Sequence, residues 1–245
     1  MNLDQLPTGP APELDRDDIE KRTKKLVDRL GELQEMLFAQ KKYSVLVIFQ
    51  GMDASGKDGA VRTVFEECHP QGLQVVSFKK PSEEEFAHDF LWRVHQQTPP
   101  KGMMHIFNRS HYEDVLIQRV HHWIDEERVD FRFEAINAFE KLLQREANTI
   151  IFKFYLHISY EQQEIELNER LEEADKHWKH NDNDWKEREK WNEYRKAYQD
   201  ILNRSEVPWY VIPVDKRWYR NYLVAQTLVA ELEKLDLAYP PLERS

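Results

Sequence analysis

Residues Gly51 to Lys57 have the composition and spacing of a phosphate-binding loop. Their sequence, GMDASGK, fits the pattern G-x-x-x-x-G-K, in which glycines let consecutive backbone N–H groups turn inward around phosphate oxygens. Lys57 adds a compact cation that can accompany a phosphoryl group during transfer. The chain has only 7 glycines, and three of them, Gly51, Gly56 and Gly59, lie in this short stretch. This concentration indicates that the loop needs unusual backbone conformations.

Two carboxylates distinguish this loop from that of an ordinary ATPase or GTPase. Asp58 occupies the position at which a Ser or Thr hydroxyl normally binds Mg²⁺, and Asp53 lies inside the loop. Mg²⁺ in proteins takes one or two carboxylates together with phosphate oxygens. We therefore predict that carboxylates hold magnesium here, with manganese as an alternative.

A second group of polar residues follows the apolar run at 103–107. Arg109 can bind two phosphate oxygens through its forked guanidinium group. Asn108 stands where many phosphate-loop proteins have a metal-binding Asp, and its neutral amide is a weaker magnesium ligand. Glu113 and Asp114 follow shortly after, and Asp114 is a candidate metal ligand beside Asp53.

The elements that must position these residues alternate along the chain. Helices are predicted at about 17–40, in AVRTVFEEC after the loop, at 83–96, after NRSHYED, at 131–147 and at 218–235. Short apolar runs between them predict strands at 43–49, 73–78, 103–107, 149–158 and 209–214. Strands separated by helices predict an α/β fold with three layers and a mostly parallel sheet.

Three segments of different character divide the chain. Residues 1–16 are proline-rich at their start and predict a flexible arm, whereas 17–245 form the predicted single domain. Within that domain, 22 of the 46 side chains at about 160–205 are charged. This composition is typical of a solvated helical hairpin, which is either a plain surface feature or a mobile lid over a substrate.

Charge and cysteine content exclude several classes of protein. The formal net charge of −10 argues against a nucleic-acid binder that relies on its overall field, so a polyanion would need a local cationic pocket. No apolar run is long enough to span a bilayer, and the N-terminus lacks the pattern of a secretory signal. The single cysteine, Cys68, excludes an intrachain disulfide. We expect a cytoplasmic protein that does not associate with membranes.

Several segments in order carry a resemblance to a known family. They are GMDASGKDGAV, FKKPS, HDFLWR, FNRSHYEDVL, ERLEEADKHWK with DWKERE, and WYVIPVDKRWYRN. Over roughly residues 20–235 the chain resembles the second family of polyphosphate kinases. The resemblance implies a P-loop kinase-like fold similar to that of thymidylate kinases, with a helical lid. It also implies magnesium-dependent transfer of a terminal phosphoryl group between inorganic polyphosphate and a nucleotide.

The resemblance also implies roles for individual residues. Asp53, Lys57 and Arg109 match the residues that bind and transfer the phosphoryl group. The FNRSHYED segment resembles the subgroup that accepts both AMP and ADP, or their guanine equivalents, with Asn108, Glu113 and Asp114 near the nucleotide. The implied phosphate-binding set is Gly51, Ala54, Ser55, Gly56, Asp58, Lys80, Arg93, Arg119, Arg170 and Lys179. Members of the family often assemble into dimers or tetramers, which implies a homo-oligomer.

Three alternatives stay open at this point. An ATP-dependent nucleoside monophosphate kinase needs the same loop and lid. A non-catalytic protein that binds nucleotide or polyphosphate would also keep the loop, although carboxylates beside phosphate add little to binding alone. Residues 215–220 lie where related kinases recognise the base, or they form a plain turn between strand and helix.

Overall fold

Five strands form one parallel sheet at the centre of the chain. The computed structural model describes residues 1–242, so the last three residues of the predicted domain lie outside the described part. The strands are β1 (Ser44–Gly51), β2 (Leu73–Ser77), β3 (Met104–Asn108), β4 (Thr149–His157) and β5 (Tyr210–Pro213). Their order is β2-β3-β1-β4-β5, and all neighbouring strands run parallel. The predicted α/β fold is confirmed, and each strand lies within two residues of its predicted position.

Helices connect the strands and cover the sheet. They are α1 (Arg16–Gln40), α2 (Lys57–Val64), α3 (Glu83–Phe86), α4 (Trp92–His95), α5 (Glu113–Val120), α6 (Glu126–Glu146), α7 (Tyr160–Glu172), α8 (Asp182–Arg188), α9 (Trp191–Arg204) and α10 (Arg217–Leu232). Every helix within residues 1–242 is too short or too polar to cross a membrane.

Two helix predictions differ from the structure. The single helix predicted at 83–96 is two short helices, α3 and α4, separated by a turn in which the Asp89 side chain accepts a hydrogen bond from Leu91 N at 2.9 Å. Helix α6 begins at Glu126 rather than at residue 131. Its start is fixed by Asp125, whose side chain accepts from Arg128 N at 2.9 Å and so satisfies a free N–H group of the first turn.

Strand order brings the two polar sequence motifs together. β1 lies between β3 and β4, and Phe49 near its end is in register with Asn108 of β3. The chain passes from β3 across β1 to β4, so the connections after β1 and β3 leave on different sides. Ligands of parallel α/β sheets bind at such points, beyond the carboxyl ends of the strands. The loop after β1 and the segment after β3 therefore face one another.

The N-terminal residues pack against the domain, which differs from the predicted flexible arm. Leu3 is only 1% exposed, and its backbone N–H donates to Gln199 Oε1 at 3.2 Å. Arg195 donates to Asp4 at 2.5 Å, and the backbone N–H of Asp215 donates to Thr8 O at 2.9 Å. The first residues therefore join α9 to the loop between β5 and α10.

A fully buried polar network lies beneath the segment that follows β3. Lys153 of β4 donates to Glu140 Oε2 of α6 at 2.6 Å and to the Tyr112 hydroxyl at 2.6 Å. The Tyr112 hydroxyl also donates to Glu140 Oε1 at 2.9 Å, and His111 Nε2 lies 3.3 Å from the same oxygen. The pKa of Lys153 is lowered because burial disfavours its charged form. The network ties β4, α6 and the segment 109–113 into one unit.

This network predicts an asymmetric response to substitution. Lys153→Met leaves the carboxylate of Glu140 buried without its cation, and we expect the free energy of unfolding to fall by about 3–5 kcal/mol. Removal of both charges in Lys153→Met/Glu140→Leu should cost less than the single change. Urea unfolding of the three proteins measures the difference. A single variant as stable as the parent, or a double variant less stable than the single one, would contradict this account.

Candidate functional site

The loop between β1 and α2 adopts the backbone conformations that its glycines predict. Gly56 has a φ of 86° and directly precedes α2. A Cβ atom at Gly56 would lie 2.0 Å from Arg220 Nη1, so a larger residue would clash here. Ala54 has a φ of 63°, which few non-glycine residues adopt. The loop thus needs Gly56 both for its φ and for the approach of a guanidinium group.

An ion pair joins the loop to the segment after β3. Arg109, itself at a φ of 63°, donates through Nη2 to Asp53 Oδ1. Its Nη1 lies 3.5 Å from Glu113 Oε2. Glu113 and then Asp53 raise the pKa of Arg109 against the opposing effect of burial, so this guanidinium stays charged. From the other side, Gln163 Nε2 of α7 donates to the backbone carbonyl of Asp53 at 2.9 Å.

Lys57 is buried against the loop that precedes it. Its Nζ donates to Gly51 O at 2.7 Å and to Met52 O at 3.1 Å. Burial, with a smaller contribution from Arg109, lowers the pKa of Lys57 to about 8. Burial therefore disfavours the charged form of the Lys57 ammonium group at the loop, and a bound anion would stabilise that form.

Polar residues next to this centre form a second carboxylate–arginine group. Asp114 is buried, with Arg93 Nη2 at 3.7 Å and Arg132 Nη1 at 3.9 Å. Burial raises the pKa of Asp114 to about 6, although both arginines act in the opposite direction. Its Oδ2 has no hydrogen-bond partner among the described residues. Asn108 Nδ2 donates to Asp58 Oδ1, which turns both side chains toward each other.

A cleft of about 2010 Å³ collects most of the predicted residues. The sequence-predicted site residues that line it are Asp53, Ala54, Gly56, Lys57, Asp58, Lys80, Arg93, Asn108, Arg109, Glu113, Asp114, Arg170 and Lys179. Arg170 belongs to α7, and Lys179 lies between α7 and α8. Arg170 donates to Asp184 Oδ2 at 2.6 Å and to Lys179 O at 3.2 Å. The helical segment 160–205 therefore borders the same cleft as the loop.

Three predicted phosphate-binding residues do not line this cleft. Arg119 is paired with Glu126 at 2.6 Å and with Asp200 at 2.7 Å, so its place in the anion channel stays a prediction that the cleft lining does not support. The Ser55 side chain is buried behind the loop, and its Oγ has no partner among the described residues. Gly51 borders a smaller neighbouring cavity of about 170 Å³.

The structure adds residues to which the sequence analysis gave no individual role. Arg220 and Arg217 of α10 line the cleft, as does Arg132. Arg217 donates to Glu166 at 2.6 Å and to Glu169 at 2.7 Å, which joins α10 to α7. The basic segment DKRWYRN was a signal for the α10 residues. Nothing in the sequence indicated that Gln163 belongs to the site, because a single glutamine in a highly charged helix is typical of an exposed position.

Sheet, loop and helical segment together define a phosphate-loop α/β protein. Comparison with known proteins then identifies the family. The family described as Polyphosphate kinase 2 (PPK2) matches residues 13–239, and the chain belongs to it.

Named relatives agree with this assignment. The AMP/ADP-polyphosphate phosphotransferase of Meiothermus ruber is 47% identical over 218 residues, which cover 88% of this chain and 81% of the relative. The ADP-polyphosphate phosphotransferase of Rhodopseudomonas palustris is 39% identical over 229 residues, covering 87% of this chain and 79% of the relative. The crystal structure of Polyphosphate Kinase 2 from Arthrobacter aurescens TC1 is 39% identical, with a TM-score of 0.96 and coverage of 100% of this chain and 89% of that one.

Gly56 offers a direct test of the loop geometry. Gly56→Ala places a Cβ atom against Arg220 in a left-handed conformation, so we expect a loss of about 1–3 kcal/mol in the free energy of unfolding. Gly9→Ala is the matched control, because its Cβ would meet only Asp215 Cβ at 3.8 Å. Chemical denaturation of both variants measures the difference. Equal stability of the two would show that the loop tolerates a side chain at Gly56.

Proposed function

We propose that the protein transfers the terminal phosphoryl group of inorganic polyphosphate to a nucleoside mono- or diphosphate, with AMP, ADP or their guanine equivalents as acceptors. The observation that carries this proposal is that Lys57 and Arg109, which follow the neighbouring strands β1 and β3, line one cleft next to a backbone loop shaped for phosphate. Membership of the polyphosphate kinase 2 family and the printed names of its relatives support the choice of substrates.

The acceptor in this reaction is a phosphate oxygen rather than an alcohol. Since the second pKa of comparable phosphate esters is about 6, this oxygen is largely ionised at neutral pH and needs no general base. The barrier is therefore the repulsion between two polyanions that must meet in line. Lys57 and Arg109 offset this repulsion and stabilise the charge that spreads over the transferred group.

Asp53 and Asp114 are the residues we propose to hold Mg²⁺, with Mn²⁺ as an alternative. Within residues 1–242 no group of three or more His, Cys, Asp or Glu side chains is arranged around a common point. Mg²⁺ with phosphate ligands needs only one or two carboxylates. Asp53 and Asp114 both line the cleft, and Asp114 Oδ2 accepts no hydrogen bond among the described residues, although it lies 3.7 Å from Arg93 Nη2. When bound, the ion would neutralise phosphate charge.

Two further parts of the proposal concern the protein in the cell. We expect a homo-dimer or homo-tetramer, an expectation supported by the family resemblance and measurable by sedimentation. We also expect a cytoplasmic location, which the free thiol of Cys68 supports because secreted proteins usually pair their cysteines.

An assay without ATP tests the proposed reaction. Purified protein, polyphosphate, Mg²⁺ and AMP or ADP should yield the nucleotide with one more phosphate. Formation of ADP from AMP only when ATP is supplied would instead identify an ATP-dependent nucleoside monophosphate kinase. Tight polyphosphate binding without turnover would identify a binding protein.

The same assay tests the two cations. Lys57→Ala and Arg109→Ala should each lower kcat by about 10²–10³-fold, because each removes a donor aimed at the transferring group. Lys24→Ala, an exposed lysine of α1, is the control for loss of one positive charge. Near-normal turnover of either site variant would refute the assigned roles.

The depressed pKa of Lys57 predicts a dependence on pH. Its ammonium form is needed to bind phosphate, and its pKa of about 8 lies below the ordinary 10.5. We therefore expect kcat/KM for polyphosphate to be level between about pH 7 and 8 and to fall about tenfold per pH unit above that range. Glu113 raises the pKa of Lys57, so Glu113→Gln should move the fall to lower pH. A profile that stays level to pH 10 would contradict this assignment.

A further inference from the structure

Arg220 of α10 packs directly against the first turn of α2. Its Nη1 lies where a Cβ of Gly56 would be, and its Nη2 would be 3.1 Å from a Cβ of Gly59. The residue is only 4% exposed, yet it lines the cleft together with Gly56, Lys57 and Gly59. Two glycines of the phosphate loop therefore leave the space that this guanidinium group fills.

The charge of Arg220 has no counter-charge within salt-bridge distance among the described residues. Its Nε and Nη2 donate to the neutral amide oxygen of Asn221 at 3.0 and 2.9 Å, and Nη1 has no hydrogen-bond partner within residues 1–242. Burial lowers the pKa of Arg220 to about 10, and nearby Arg217 adds to that effect. Glu166 acts in the opposite direction.

A buried guanidinium without a carboxylate is unfavourable unless a ligand supplies the anion. A guanidinium forms two parallel hydrogen bonds with phosphate oxygens and is suited to them in a way that a single ammonium is not. The N–H groups at the start of α2 attract anions at the same place. Arg220 and the phosphate loop are therefore positioned to bind the same phosphate group.

Neighbouring cations indicate which substrate that ligand belongs to. Arg217 lies three residues earlier on the same face of α10 and is linked through Glu169 to Lys176. These cations and Arg220 line the cleft next to α7, where Glu166 pairs with Arg217 and leaves Arg220 without a carboxylate partner, whereas Glu113 and Asp114 line the cleft from α5. A chain of many phosphates gains more binding free energy from several neighbouring cations than a nucleotide with one or two phosphates does.

We infer that Arg220 binds the polyphosphate donor where that chain enters the phosphate loop. The inference rests on the proposed function and deepens it, since it assigns residues at the start of α10 to phosphate rather than to a nucleobase. Arg220 contacts the donor but takes no part in proton transfer.

Steady-state kinetics with each substrate varied in turn test this inference. Arg220→Met removes the charge and keeps the stem, and we expect KM for polyphosphate to rise about tenfold or more while KM for ADP stays within about twofold. Arg220→Lys should recover part of the loss. The slope of log KM for polyphosphate against log salt concentration should also fall by about one, as one ionic contact is lost. Arg22→Met, on α1 and outside the cleft, is the control.

Other outcomes would overturn the inference. A rise in KM for ADP alone would assign Arg220 to the nucleotide, and a fall in kcat with both KM values and the salt slope unchanged would make it structural. Equilibrium binding of polyphosphate to the wild type and to Arg220→Met is a second measurement, and it does not depend on turnover. Thermal unfolding of both proteins checks that they are folded. If the wild type binds polyphosphate through Arg220 but forms no nucleotide product, the proposed function fails and this contact stands.

Discussion

Cations gathered in one cleft repel each other, and this protein relieves part of that repulsion by pairing several of them with carboxylates. Arg170 lies 2.6 Å from Asp184, and Arg217 lies 2.6 Å from Glu166. Such pairs hold long side chains in position and lower the local repulsion. Because the whole chain has a net charge of −10, a polyanion needs a site where cations are gathered locally. Arg220 departs from this pattern, since its nearest partner is a neutral amide.

Carboxylate partners also determine what a phosphate chain must displace. Partly exposed ion pairs contribute only about 0–1 kcal/mol each, so an incoming phosphate can replace a carboxylate at small cost. Arg217 illustrates the consequence, because its carboxylate partners Glu166 and Glu169 belong to α7. A ligand that binds Arg217 therefore competes with the contact between α10 and the helical segment that borders the cleft.

The sequence predicted the five strands and the phosphate-binding loop well, because apolar runs and the G-x-x-x-x-G-K pattern are local features of the sequence. It predicted less well where distant residues decide. Arg119 resembles a channel cation in the sequence, but in the structure it forms an ion pair with Asp200, far along the chain. Leu3 appears in a proline-rich arm, yet Gln199 holds its backbone. The role of Gly56 could be predicted in part, because the motif predicts its positive φ but does not predict that Arg220 packs against it.

Arg109 shows how buried polar residues support an unusual active-site backbone. Its φ of 63° is costly for a residue with a side chain, so the surrounding structure must hold it. Its N–H donates to Phe49 O at 3.0 Å, and three residues later Tyr112 is fixed by Lys153 and Glu140. A buried ion pair adds little net stability compared with apolar packing. Its value here lies in fixing both ends of a strained segment, so that the guanidinium of Arg109 meets the phosphate loop in one orientation.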